Sequence, residues 1–526
     1  MGKTTVESTV GNTAVKQTAA LEEAREETPE SGENTRAHLS IVRSPKIEVI
    51  PGEKIVSSEE ATSAPALLDD TSEKSFFDTL LKTIAEEFAS WREYVNQIVA
   101  AEISEISRYC DATLQLGKRE EDTGLLLEAV NCEKKLQAKD IKAINRFTRK
   151  TQSRAFILLN SNINHDERIE DTLTNIQKVL NRHSRVGLVI YNPYFRGLYA
   201  LANFIGIRTR AVPSNFVTLA DLTNIAKLSG LEIVRTRRVV FSPFRMFGLG
   251  NIINRILPAI PIISSLSLVT FVVLRPLKIE RGKPSLTVVI PARNQEANIE
   301  KALKRMPSFK GAKLEILFVE GHSTDNTWGE IQRVAKKYKK QFSIKSFQHT
   351  GKGKADAVRL GFQKAKGELL TLLDADLSVS PEALERFYQA YRKGHADFIN
   401  GTRLIYPMER KGLSLMGNVL LSKVLSFVLG NPHGDSLCET KLFPRKDYAR
   451  CMRWCDDFGD FDPFGDLELL FPASVLALGT VDVPIRLQNT TSGSDILDKL
   501  RDGFLHGFLL LKMAMIGLLR VKSGRI

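Results

Sequence analysis

Three short apolar runs, each breaking off at polar residues, constrain this sequence most. Leu286-Thr-Val-Val-Ile290 stops at Pro291-Ala-Arg-Asn294, and Leu314-Glu-Ile-Leu-Phe-Val319 stops at Glu320-Gly-His-Ser323. Leu369-Leu-Thr-Leu-Leu373 stops at Asp374-Ala-Asp376. Short, β-branched, nearly continuous apolar runs read as strands buried on both faces. Helical patterns follow the first two, the first from about Ala297. Such alternation predicts an α/β fold with a mostly parallel sheet, whose carboxyl ends open on a crevice suited to a nucleotide.

The same alternation runs earlier in the chain. Ala112–Leu116, Ala155–Leu159, Val186–Tyr191 and Leu268–Leu274 read as strands, and Thr218–Ser229 as a helix opened by a Thr. Residues 1–74 are rich in Thr, Ser, Glu, Ala and Pro and hold too few large apolar side chains to offset chain entropy, so they are predicted to be a disordered tail. Residues 75–277 form a first α/β domain, 278–283 a charged linker with Gly, and 284–526 a second domain.

The net charge of +13 suits phosphorylated ligands or an anionic membrane. No nucleic-acid-binding motif accompanies it, so nucleic acid is not an expected partner. Five cysteines make no disulfide framework and suit a reducing, cytoplasmic setting. Ile252–Leu274 is apolar but broken by Pro258 and Pro261. Phe504–Leu519 is shorter than the roughly 20 residues that span a bilayer. Peripheral contact at the cytoplasmic membrane face is therefore expected, and no spanning helix. Whether the chain forms a homo-oligomer stays open.

Asp374-Ala-Asp376 carries the chemistry. Acids on alternate residues at a strand terminus let one reach the ribose side of a nucleotide while the other grips a divalent cation. A D-x-D triplet is common by chance, and a solvated turn is its usual meaning. Behind two other polar strand ends the pattern becomes specific.

With Ile290-Pro-Ala-Arg-Asn294, Glu320–Thr327, Gly351-Lys-Gly-Lys-Ala-Asp-Ala357, Leu373–Asp376, Asn400-Gly-Thr-Arg403, Asp435–Lys441 and Phe464-Gly-Asp-Leu-Glu468 in order, residues 284–526 resemble a family 2 glycosyltransferase of GT-A fold. The resemblance is to the polyprenyl (dolichyl) phosphate sugar synthase branch. It implies a metal-dependent, inverting transfer from a nucleotide-sugar donor to an acceptor such as a polyprenyl phosphate or a cell-surface glycan precursor, with Mg2+ or Mn2+ as cofactor. Pro291, Arg293 and Glu320 would flank the base and ribose, and Lys354 and Asp356 would meet the nucleotide-sugar. Asp374 and Asp376 would take nucleotide and metal, and Arg403 phosphate oxygens. Asp466 and Glu468 would bear on acceptor or sugar, Asp466 as general base if the acceptor is a hydroxyl. Three departures stand out: Glu320-Gly321 replaces a usual Asp pair, Glu439 replaces a usual Gly, and only Arg486 keeps the positive charge of the last loop.

Residues 75–277 resemble a class I S-adenosylmethionine-dependent methyltransferase in their order of elements, through Phe156–Leu159, Val186–Asn192 and Leu222–Val234. The cofactor turn is degenerate: Gly117 is followed by Lys118-Arg119-Glu120-Glu121, and Gln115 stands where an acid is usual. S-adenosylmethionine is therefore not expected as a cofactor, and a structural or partner-binding role is. A working or bifunctional methyltransferase and a non-catalytic scaffold are the competing readings.

Overall fold

The computed structural model describes residues 79–488 except 80, 81, 84, 85, 87, 88, 118–123, 152, 153, 205–212, 261, 310, 352, 407–412, 431–433, 437, 459–468 and 487. The tail over 1–74 and the apolar stretch Phe504–Leu519 lie outside the described residues.

The first sheet has six strands: β1 (Ala112–Leu116), β2 (Lys135–Ala138), β3 (Ala155–Asn160), β4 (Arg185–Tyr191), β5 (Leu231–Val239) and β6 (Val269–Pro276). Their order is β2-β1-β3-β4-β6-β5. β1 to β4 are parallel, and β6 runs antiparallel to both β4 and β5. The apolar runs become central strands because helices cover both faces: one face packs Ile157, Leu159 and Leu188, the other Phe156, Leu158 and Phe271. Gly187 leaves room for Phe156, whose Cζ would lie 2.4 Å from a Cβ placed there. Leu158→Ala would open a cavity in this layer at about 2–5 kcal/mol. The predicted helix start is present: the Thr218 hydroxyl accepts from Asp221 N (3.2 Å), closing a capping box.

The second sheet has seven strands: β7 (Leu286–Ala292), β8 (Leu314–Glu320), β9 (Ser343–Gln348), β10 (Leu369–Leu372), β11 (Phe398–Thr402), β12 (Lys441–Pro444) and β13 (Thr480–Pro484). The order is β13-β11-β12-β10-β7-β8-β9, and all run parallel except β12. Its two faces are packed by the Val289–Leu317–Phe443 and Ile290–Phe318–Phe387 clusters. No helix among the described residues is long and apolar enough to cross a membrane. None of the five cysteines forms a disulfide.

The two sheets belong to one compact unit and meet amino edge to amino edge. The contact is a seam of buried arginines. Arg185 donates to Ala477 O (2.7 Å) and to Asp397 Oδ2 (2.7 Å). Arg182 donates to Tyr391 O (3.0 Å) and Ala396 O (2.8 Å) while stacking on the Tyr391 ring. Arg154 reaches Leu476 O and Asp447, Arg235 reaches Val475 O, and Arg275 reaches His395 O. The carbonyls of Val475, Leu476 and Ala477 end helix Leu470–Val475, where acceptors lack intrahelical partners and the dipole favours cations. Burial would raise the pKa of Asp397, but Arg185, Arg275 and Arg182 overcome it and hold the carboxylate well below its usual range. Burial pushes Arg185 down to about 10, so it stays charged at neutral pH.

Candidate active site

Parallel strands carry their carboxyl ends to one edge, and that geometry assembles the site. β10, β7, β8 and β9 are neighbours, with Leu372 opposite Val289, Ala292 opposite Glu320, and Glu320 opposite Gln348. The residues that follow these strands therefore lie side by side. β11 ends in Thr402, just before Arg403, and antiparallel β12 begins with Lys441 at the same edge, just after Glu439.

Pro291 is buried in the last register positions of β7, and Arg293 projects exposed beyond it. Asn294 takes a left-handed conformation (φ 54°), and its Oδ1 accepts from Thr324 N (2.8 Å). Asp325 accepts from Glu296 N (3.2 Å) and Thr327 N (3.0 Å), so it ties the starts of two helices together. The loops after β7 and β8 are thus stitched into one rigid lip.

Glu320 is buried, and its carboxylate accepts from Ser323 N (2.7 Å) and the Gln348 amide (3.0 Å). Burial alone would raise its pKa; these hydrogen bonds reverse that and favour the charged form. It is a fixed acceptor set among donors.

Lys354 opens helix Lys354–Lys364 after Gly353, whose φ of 104° suits glycine. Its ammonium forms ion pairs with both Asp374 and Glu439. Asp356 lies in the first turn of that helix, 3.4 Å from Arg359, and folds back over Gly351. A Cβ on Gly351 would sit 2.2 Å from Asp356 Oδ2. Asp374 and Asp376 are partly buried in the turn after β10; Asp376 Oδ1 accepts from Ser378 N (2.8 Å), and Leu377 (φ 56°) closes the turn by donating to Asp374 O.

The edge therefore collects Pro291, Arg293, Glu320, Lys354, Asp356, Asp374, Asp376 and Arg403. Arg403 is committed within it: Nε and Nη2 donate to the two oxygens of buried Asp435 at 2.7 and 3.0 Å. Asp466 and Glu468 lie outside the described residues.

Residues 287–450 match the model for glycosyl transferase family 2. The chain carries a glycosyl transferase family 2 domain. A dolichol-phosphate mannosyltransferase of Pyrococcus furiosus is 30% identical over 152 residues, 26% of this chain and 42% of that protein. An undecaprenyl-phosphate 4-deoxy-4-formamido-L-arabinose transferase of Edwardsiella ictaluri is 24% identical over 204 residues, 38% of this chain and 59% of that protein. The chain thus spans less than two thirds of these relatives. Among solved structures, a mannosyltransferase from Pyrobaculum calidifontis in complex with GDP-Man and Mn2+ superposes with a TM-score of 0.31 at 19% identity, covering 47% of this chain and 76% of that one.

The family 2 domain also holds a residue that the motifs did not single out. His349 follows β9 and is 8% exposed, its Nδ1 buried without a hydrogen-bond partner. Its ring lies over Gly321: a Cβ there would come 2.1 Å from His349 Nε2. A larger residue at 321 would have to displace that ring. His322 (φ 52°) packs edge-on against His349 at 5.4 Å between ring centres, with Nε2 3.3 Å from Gly351 O. The only sequence signal was position, a histidine just ahead of Gly351-Lys-Gly-Lys354.

The donor chemistry fits a hard divalent cation. Asp374 and Asp376 offer carboxylate oxygens and no soft ligands, and no group of three or more His, Cys, Asp or Glu among the described residues could hold a metal alone. Such a pair suits an ion that takes its remaining ligands from diphosphate and water.

Proposed function

We propose that the chain is a metal-dependent, inverting glycosyltransferase that moves a sugar from a nucleoside-diphosphate sugar to a polyprenyl phosphate or a related cell-surface glycan precursor. The observation that carries this reading is the shared edge, with Asp374 and Asp376 beside Arg293 and Glu320 on neighbouring parallel strands. The relatives named for dolichyl and undecaprenyl phosphates support the acceptor class.

In this reading Glu320 and Arg293 orient base and ribose, and Asp374 with Asp376 would hold Mg2+ or Mn2+. The ion supplies charge neutralisation for the departing nucleotide. Lys354, the other cation at Asp374, follows the diphosphate as charge builds on it. Arg403, fixed by Asp435, presents the rest of its guanidinium toward phosphate oxygens. A phosphate acceptor is already anionic and needs little deprotonation; a hydroxyl acceptor would use Asp466, with Glu468 beside it.

The first domain serves as a support rather than as a methyltransferase. Its arginine seam supports this, as does Asn162, whose amide donates to Leu116 O (3.3 Å) at the end of β1 and stands 3.8 Å from a Cβ built on Gly117. S-adenosylmethionine is not needed.

Melting curves with UDP- and GDP-sugars, with and without Mn2+, test the transferase reading. One donor should raise Tm with concentration, by a free energy of about 2.7 kcal/mol at a hundred times Kd. Asp376→Ala should remove the Mn2+-dependent part and lower sugar transfer by roughly 10²–10³-fold, the range for one lost transition-state contact. No metal-dependent shift with any donor would sink the reading.

A further inference from the structure

Helix Leu249–Ile256, between β5 and β6, is inverted relative to a helix of a water-soluble surface. It buries Gly250 and Asn254, while Leu249, Ile252 and Ile256 are 50%, 55% and 52% exposed. A surface helix ordinarily hides its isoleucines and shows its asparagine. The inversion is built in. A Cβ on Gly250 would lie 2.0 Å from Phe244 O, so only glycine lets this side sit down. Asn254 Oδ1 accepts from Phe241 N (2.7 Å) and Ser242 N (3.0 Å), and its Nδ2 donates to Tyr94 Oη (3.1 Å) and Ser242 O (2.8 Å). With every amide group satisfied inward, the isoleucine face is held outward.

The flanking turns continue the pattern. Phe247 is 70% exposed and Ile262 85%. From Ile233 to Ile279 the sequence has no Asp or Glu, whereas Arg245 and Arg255 are exposed on the segment. Arg245 is itself tied through Gln97 to exposed Glu93 of the helix packed beside it (2.8 and 3.1 Å), so one acid stands at the rim. An apolar patch whose own segment carries only cations is complementary to lipid tails below phosphate headgroups. A second copy of the chain fits less well, because a two-fold contact would set the same acid-poor face, with the same arginines, against itself.

We propose that this segment of the first domain docks on an anionic bilayer surface, with Ile252, Ile256 and Ile262 entering the headgroup boundary and Arg245 and Arg255 meeting lipid phosphates. The inference stands independently of the transferase reading, since lipid binding and donor binding are measured separately.

Cosedimentation of the full chain with vesicles tests it, using phosphatidylcholine alone and an equimolar phosphatidylcholine–phosphatidylglycerol mixture. The chain should partition onto the anionic vesicles, less so as salt rises. Ile252→Ser with Ile256→Ser and Ile262→Ser should lower partitioning at least about tenfold, given the area each side chain would bury. Arg255→Gln alone should lower it by roughly fivefold, the effect of one basic group near such a surface. Exposed positions should leave the melting curve intact, and single Ile256→Ser, with a smaller loss, guards against misfolding of the triple variant. Equal binding by wild type and triple variant overturns the proposal, as does indifference to phosphatidylglycerol. A dimer in sedimentation velocity that the triple variant dissociates would overturn it in favour of self-association.

Discussion

The two sheets share a plan and differ at their free edges. Both are mostly parallel, both have helices on two faces, and both turn their amino edges toward the arginine seam. That leaves two carboxyl edges. The edge of the β7–β13 sheet carries Arg293, Glu320, Lys354, Asp374 and Arg403, each held by named partners or set beside them. The edge of the β1–β6 sheet carries Asn162 over the end of β1 and, beyond β5, an isoleucine face on a segment without Asp or Glu. One architecture thus carries charged residues at one free edge and exposed apolar residues at the other. The two sheets differ in what each free edge carries, not in their topology.

Breaking the seam is the harshest test of that comparison. Asp397→Asn would leave Arg182, Arg185 and Arg275 facing one another without their shared carboxylate. Removing one partner of a buried ion pair costs about 3–5 kcal/mol, so the melting temperature should fall steeply. The sign with pH follows from the depressed pKa of Asp397. Its stabilisation is complete above the ordinary value of 3.8 and is lost as pH falls through the lower folded-state value. Wild type should therefore lose stability below that ordinary value, and the variant should show a shallower acid limb. Equal acid limbs in urea titrations would remove Asp397 from the seam's energetics.

The meeting of residues at the carboxyl edge of the β7–β13 sheet was readable because they stand at strand ends. Pro291, Arg293, Glu320, Asp374 and Asp376 stand where the apolar runs stop, and the structure places them at the ends of adjacent strands. The arginine seam was not readable, because Arg154, Arg182 and Arg185 find their partners more than two hundred residues away, largely at backbone carbonyls. Arg403 was read as a phosphate ligand; its bidentate pairing with Asp435 depends on a loop that no local pattern announces. Ile252–Leu274 drew notice for hydropathy, yet its inversion depends on which face Gly250 and Asn254 occupy. Periodicity can show that a helix is two-sided, but the seat decides which side turns out.

Gly321 offers a finer break within the edge of the β7–β13 sheet. Gly321→Asp restores the acid pair usual in the family, but its side chain must displace the His349 ring. Overpacking of this kind costs about 1–3 kcal/mol, and donor affinity should fall with it. Adding His349→Ala should recover most of the loss, because the two changes share one volume. A double-mutant cycle on Tm and on donor Kd measures that coupling; additive losses would mean that His349 is not what keeps residue 321 small.

The gentlest test concerns Glu439, which shares Lys354 with Asp374. Both groups are partly exposed, so the pair is screened and weak, within the roughly 0.2–1 kcal/mol of solvent-facing ion pairs. Its sign is still definite. Glu439 adds negative charge beside the place proposed for a diphosphate and competes for the lysine that would follow that diphosphate. Glu439→Gln should therefore lower the donor KM by up to about fivefold at low salt, with little change in kcat. The gain should shrink as ionic strength rises, since the interaction is solvent-facing. A raised KM would instead make Glu439 a positioning group for Lys354, and the charge at this edge would then be cooperative rather than competitive.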